Sequence, residues 1–269
     1  MADWPWTFRV QTLGAFHLSR GGTALGESGK AQRRPLELLR ALVALGGEQV
    51  AKEHLADLLW PRIAGDSAQR SLTTTLHRLR KLLGDPAAIV LHEGRLTLDR
   101  RLFWVDAWAL EAAIDELEEA LRRPGASDDT SEIRAIGERI MDLYRGPFLA
   151  FEVDDTFAIA LRDRLRQQFV RAVTALARRL AAAGEHEQAI GCCERCLEAE
   201  PLAEGLYRQL MQCHAELGRR AEAIEVYERC RRALAAAHGV EPSAETRQVV
   251  ERLAGAGAAP TQPAAKTPP

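Results

Sequence analysis

Five polar side chains recur at helical spacing in one short segment: Arg70, Thr74, His77, Arg78 and Lys81. At about 100° per residue they share one side of a helix, and Leu72, Leu76, Leu79 and Leu83 form a narrow apolar stripe on the other. The chemistry open to such a side is recognition. A guanidinium donates two hydrogen bonds to the O6 and N7 of guanine, threonine meets base edges or the thymine methyl, and lysine neutralises phosphate. Arg70, Thr74, His77 and Arg78 are therefore candidate base contacts, and Lys81, Arg33, Arg34 and Arg95 candidate phosphate contacts. A solvated amphipathic helix gives the same pattern, because charged helix faces are usually hydrated. The neighbouring elements decide between the two.

Those neighbours read as a small DNA-binding architecture. A helix is predicted from Asp66 to Gly84, with Asp66 or Ser67 as cap, Gln69 placed as in a capping box, and Gly84 before Asp85-Pro86 as its end. Ile89 to Leu91 and Leu96 to Leu98 are β-prone runs joined by His92-Glu93-Gly94-Arg95, a hairpin with Arg95 near its tip. An arginine there can enter a minor groove or hold a phosphate. Upstream, helices are predicted from Pro35 to Leu45, stopped by Gly46-Gly47, and from Lys52 to Trp60, halted by Pro61. Phe8, Val10, Phe16 and Leu18, with the turn Gly21-Gly22, predict a small antiparallel sheet. Three helices and a terminal hairpin make a winged helix.

The run from Phe8 through Val105 resembles the OmpR/PhoB-type winged helix of SARP-like bacterial activators. The resemblance is carried by the leucine-rich helix after Lys30-Ala31-Gln32-Arg33, by Leu58-Leu59-Trp60-Pro61, by Leu79-Arg80-Lys81-Leu82-Leu83-Gly84, and by the final hairpin. It implies that the third helix lies in the major groove and that the wing flanks it, with Arg70, Thr74, Arg78, Lys81 and Arg95 in contact. Two departures stand out. Ala51 occupies a position that usually holds a capping serine or threonine, and the wing reads His-Glu-Gly-Arg in place of the commoner Pro-Pro-Gly-Tyr.

The second half carries an internal repeat. Laying Gly184 on Gly218, an offset of 34 residues, brings Ala189-Ile190 onto Ala223-Ile224 and Glu194-Arg195-Cys196 onto Glu228-Arg229-Cys230. That is the tetratricopeptide period, in which helical hairpins bury their apolar sides by stacking. The predicted helices are Phe157 to Ala182, His186 to Glu198, Ala203 to Leu217 and Arg220 to Ala236, preceded by Trp108 to Leu121 and Glu132 to Tyr144. This half resembles the bacterial transcriptional activator domain through Leu143-Tyr144-Arg145-Gly146-Pro147-Phe148-Leu149, Pro201-Leu202 and the closing His238-Gly239-Val240-Glu241-Pro242-Ser243. The resemblance implies contacts with RNA polymerase and between protomers.

The expected fold is mainly α. It comprises a winged-helix domain at 1–105 with small antiparallel β elements, a tetratricopeptide-like all-α domain at 106–254, and a disordered Ala/Pro-rich tail at 255–269. Residues 1–106 hold 15 Lys/Arg against 11 Asp/Glu, and the remainder holds 21 against 27, so the base-reading half is the positive half. The net charge of −2 argues against indiscriminate coating of nucleic acid and places any affinity in a local patch.

Other motifs carry less. The stretch from Gly26 to Lys30 falls short of a phosphate-binding loop, which needs glycine where Ala24 stands and serine or threonine where Ala31 stands. Cys192, Cys193, Cys196, Cys213 and Cys230 read as packing between helices, since Cys196 and Cys230 are repeat-equivalent. Asp154-Asp155 reads as a loop or helix start, and Trp60 and Trp104 as core or junction fillers. No nucleophile with its base, metal cluster or cofactor loop is evident, so no enzyme, metal or cofactor is expected. With no spanning apolar run and no signal-peptide layout, a cytoplasmic, nucleoid-associated protein is expected. The expected function is a sequence-specific regulator, an activator in direction, with double-stranded promoter DNA, RNA polymerase and a second copy of itself as partners. The alternative is an interaction adaptor whose winged helix meets protein.

Overall fold

The computed structural model describes residues 6–26, 32–63, 65–123, 130–152 and 155–255. Most of the Gly26–Lys30 stretch, Asp154 and the tail after Gly255 lie outside the described residues. The fold is mainly helical with small sheets in the N-terminal part, as the sequence predicts. Among the described residues, no helix is long and apolar enough to cross a membrane.

Two compact units emerge, Met1–Glu116 with Glu138–Phe169, and Leu117–Gly137 with Val170–Pro269. In the first unit, segments well past residue 105 are hydrogen-bonded to residues 12–14, the stretch that leads out of the N-terminal sheet.

That sheet has the order β3 (Thr23–Ala24), β2 (His17–Arg20), β1 (Phe8–Gln11) and β7 (Phe103–Val105). The first three strands are antiparallel, but β7 joins β1 in parallel, with Phe8 opposite Phe103 and Val10 opposite Val105. Phe8 and Phe103 stack with centroids 4.8 Å apart and are almost fully buried. Asp106 follows at once. Its buried carboxylate accepts hydrogen bonds from Thr12 N and Oγ1 (2.8 and 2.6 Å), Leu13 N (2.9 Å) and Ala107 N (2.8 Å), so it ties the chain end of β1 to the start of α4 (Asp106–Arg122). The Leu143–Leu149 stretch follows α5 (Ser131–Leu143) and is knitted to the same place. Gly14 N donates to Pro147 O (3.0 Å) and Leu149 N to Thr12 O (2.7 Å), and Leu13 bridges Phe148.

The three expected helices form around a leucine core. They are α1 (Arg33–Ala44), α2 (Lys52–Leu59) and α3 (Gly65–Leu83), with Leu38, Leu39, Leu42, Leu55, Leu72, Leu79 and Leu83 fully buried. Helix α1 begins two residues before Pro35, which is tolerated in the first turn because its missing N–H has no intrahelical acceptor there. Helix α3 begins at Gly65, so Asp66 lies in its first turn, where a negative charge suits the helix dipole, and is not the cap that the capping-box reading required. At the other end Gly84 takes a left-handed conformation (φ +68°) and Arg20 donates to the carbonyl of Leu83 at 2.9 Å.

The wing is β5 (Ile89–His92) and β6 (Arg95–Leu98), paired antiparallel through the two-residue turn Glu93-Gly94, both at positive φ. That turn matches the right-handed strand twist. A short strand, β4 (Val50–Ala51), pairs with the other edge of β6. The Lys52 amide donates to Gly94 O at 2.9 Å, so the wing turn satisfies the first amide of α2 that a capping side chain at position 51 would otherwise face.

The second unit contains α7 (His186–Ala199), α8 (Glu204–Glu216), α9 (Arg220–His238) and α10 (Ala244–Gly255), with α8 packed on α7, α9 and α10. The repeat holds in space for α7 and α9, which start 34 residues apart. Ala189 and Ala223 are both fully buried, as are Cys196 and Cys230, and Gly184 and Gly218 both have positive φ. It slips after that, because α9 is 19 residues long against 14 for α7. The closing His238–Ser243 signature is a capping knot. Gly239 ends α9 at φ +68°, and Ser243 donates to Glu204 through both N and Oγ at 2.7 Å.

Candidate nucleic-acid interface

Helix α3 separates its two faces cleanly. Ala68, Leu72, Thr75, Leu76, Leu79 and Leu83 are buried, and Arg70, Thr74, His77, Arg78 and Lys81 are all exposed on the opposite side. The five residues are thus brought together on one surface by the burial of the leucine stripe. Among the described residues nothing pairs with the charges of Arg78 and Lys81. Arg70 donates to Ser67 Oγ at 3.0 Å, a bond to a neutral hydroxyl that leaves its charge uncompensated. Thr74 Oγ1 donates to the carbonyl of Arg70 at 3.0 Å, one turn back.

The other candidates sit on other elements. Arg33 and Arg34 are exposed in the first turn of α1, where positive charge opposes the helix dipole and an anion would be welcome. Arg34 is ion-paired with Glu37 at 2.8 Å and lies against the ring of Trp60, with 6.0 Å to the centroid. Arg95 flanks the wing turn as the sequence predicts, yet its guanidinium turns back and donates to Gln49 O at 3.0 Å, bracing β4. In this arrangement only its remaining N–H groups are open to a ligand unless that bond is released.

Sequence reasoning missed three features. Thr73 is exposed beside Thr74 and carries the same kind of bond, Oγ1 to Gln69 O at 2.9 Å; the 100° spacing places it at the edge of the polar arc. Arg80, in contrast, is half-buried, and donates to Ile89 O at 2.7 Å, joining α3 to the wing. Third, Asp155 is no simple loop residue. Its carboxylate is buried against Arg40 of α1, with Nε to Oδ2 at 2.6 Å, and Arg40 also faces Glu152 at 3.7 Å and the ring of Phe16 at 5.3 Å. The only signal for that pairing was an arginine on the apolar side of a leucine-rich helix.

Trp60 and Trp104 are half-buried, and Trp104 lies under Arg9 with 5.0 Å to the ring centroid. The five cysteines are buried free thiols. Burial pushes the Cys193 thiol far up, Cys196 up to about 12 and Cys230 up to about 11, and raises Cys213 as well. Groups held as thiols in this way are poor metal ligands and poor nucleophiles.

Proteins named as regulators are among those this chain resembles. The model of the bacterial transcriptional activator domain matches residues 105–254. The regulatory protein AfsR of Streptomyces coelicolor is 30% identical over 245 residues, which are 91% of this chain and 24% of that protein. The transcriptional regulatory protein MoaR1 of Mycobacterium tuberculosis is 25% identical over 252 residues, 91% of this chain and 78% of its own length. Among solved structures, Mycobacterium tuberculosis EmbR in complex with a low-affinity phosphopeptide has a TM-score of 0.68 at 22% identity, covering 93% of this chain and 65% of that one. The chain spans about a quarter of the length of the AfsR relatives.

Proposed function

The chain belongs to the bacterial transcriptional activator domain family, and from that premise we propose that it is a sequence-specific regulator that binds double-stranded promoter DNA and activates transcription. The observation that carries this reading is the single exposed face of α3, with Arg70, Thr74, His77, Arg78 and Lys81 opposite a buried leucine stripe and with the wing attached through Arg80. A helix of this diameter fits the major groove, where its side chains meet base edges. Arg70, Thr74, His77 and Arg78 read bases in this reading, and Lys81, Arg33, Arg34 and Arg95 hold phosphates. The helical repeat half contacts RNA polymerase or a second protomer. No catalytic step is involved, and the protein acts in the cytoplasm on the nucleoid.

In-vitro selection of duplexes from a random pool tests the reading. A defined sequence should emerge and bind with a steep salt dependence, because phosphate contacts release counterions. Arg78→Ala should then cost about 1–3 kcal/mol and relax selectivity at one base pair, whereas Lys81→Ala should weaken all sequences alike and reduce the salt slope by about one. If a dimer forms, half-sites should lie about 10–10.5 bp apart or a multiple of that. Absence of any enriched duplex, with protein partners captured in its place, would favour an interaction adaptor.

A further inference from the structure

Four hydroxyl side chains of α3 are turned inward to their own helix. Ser71 donates to Ser67 O (2.9 Å), Thr73 to Gln69 O (2.9 Å), Thr74 to Arg70 O (3.0 Å) and Thr75 to Ser71 O (2.8 Å). Thr75 is buried and Ser71 half-buried, so only Thr73 and Thr74 carry this arrangement onto the exposed face. A hydroxyl has one proton to donate. With that proton given to the carbonyl one turn back, what remains is a pair of acceptor lone pairs and a γ-methyl group, and the bond pins the side-chain torsion that sets where the methyl lies.

We infer that Thr74 is a methyl reader, specifying a pyrimidine that bears a 5-methyl group, with Thr73 as a second apolar contact at the edge of the same face. The inference rests on the DNA-binding reading and gives it base chemistry. Along the helix Thr74 stands one turn after Arg70 and one turn before Arg78, so the row alternates guanidinium, methyl, guanidinium. Guanine offers only acceptors in the major groove and suits the two arginines. A threonine whose proton is already donated offers guanine nothing; its lone pairs, on an Oγ1 turned back to the Arg70 carbonyl, are what is left for an adenine or cytosine amino group, and its γ-methyl is what is left for thymine, the base whose major-groove edge carries a methyl group. The selected site should therefore contain a thymine next to the guanine contacts, on either strand.

The test uses the full chain and a duplex selected by it from a random pool. Each thymine is replaced in turn by deoxyuridine, which removes one methyl group and no hydrogen-bonding atom. At the position read by Thr74 the parent protein should lose about fourfold in affinity, the worth of one buried methyl-sized group. Thr74→Ser, which keeps the hydroxyl and lacks the methyl, should bind thymine and deoxyuridine duplexes equally, and Thr74→Val should keep the preference. Position 74 is exposed, and unchanged circular dichroism shows that each variant is folded. If every deoxyuridine duplex binds within twofold of the original, or if Thr74→Ser retains the full preference, the methyl reading is wrong although DNA binding stands. If no duplex is enriched at all, the DNA-binding reading and this inference fall together.

Discussion

Arg40 should be the residue of α1 least tolerant of a neutral replacement. Its side chain is 7% exposed and that of Asp155 6%, and their 2.6 Å contact is the closest neutralisation either charge has. Arg40→Met keeps most of the apolar stem but leaves the Asp155 carboxylate buried, with no cation opposite. Breaking a buried pair in this one-sided way costs about 3–5 kcal/mol, and the contact with Phe16 adds a smaller loss. At about 2–4 °C per kcal/mol for a protein of this size, melting should fall by roughly 6–20 °C. Asp155→Asn should cost less, because Glu152 at 3.7 Å still faces the guanidinium. The double change Arg40→Met with Asp155→Leu removes both charges and should recover most of the loss, since apolar replacement of a buried pair is often neutral or stabilising. Two units can melt separately, so hydrogen exchange of the α1 amides is the clearer assay beside the melting curve. A melting point of Arg40→Met within 1 °C of the parent, or a double variant no better than the single, would refute the reasoning.

Other perturbations have equally definite outcomes. Gly47→Ala should destabilise the first unit by about 2–4 kcal/mol, read by thermal melting, because a Cβ there would sit 2.5 Å from the ring of Trp108 and the backbone has φ +73°. Gly137→Ala should destabilise the second unit in the same assay, since its Cβ would collide with Leu176 of α6 (Ala158–Ala182). Burial tends to raise the Glu204 carboxyl, but hydrogen bonds from Thr246 and Ser243 and the charge of Arg208 outweigh it and hold it below its usual 4.5. A lowered folded value contributes stability above pH 4.5 that is lost as pH falls through it, so protection of α10 amides should decline on acidification and Glu204→Gln should flatten that decline. Asp106 has the opposite sign. Burial raises it despite the bonds from Thr12, Leu13 and Ala107, so its contribution is fully present at acid pH and is lost as pH rises above 3.8 through the folded value. The Cys193, Cys196 and Cys230 thiols should react with a thiol reagent at pH 8 only as fast as the helices open; labelling at the rate of a free thiol would show that they are accessible.

Periodicity was enough to establish the helices, the leucine stripe and the polar face of α3, because burial of one face is written directly into the order of residue types. The wing turn was legible for the same kind of reason, since Glu93-Gly94 meets a local backbone requirement that two residues satisfy by themselves. The 34-residue repeat was visible through small residues and turn glycines that recur in register. What the chain order did not reveal were pairings between residues about a hundred positions apart. These are β7 beside β1 in parallel, Asp106 on Thr12, Phe148 against Leu13 and Asp155 against Arg40. Each depends on which polar group lacked a local partner and found one across the fold, and burial of both partners supplies the energy that makes the choice unique. The inward turn of the threonine hydroxyls and the retreat of Arg95 to Gln49 belong to the same class. Residue type says what a side chain is able to donate or accept, but only the assembled backbone around it decides which of those capacities is left for a partner.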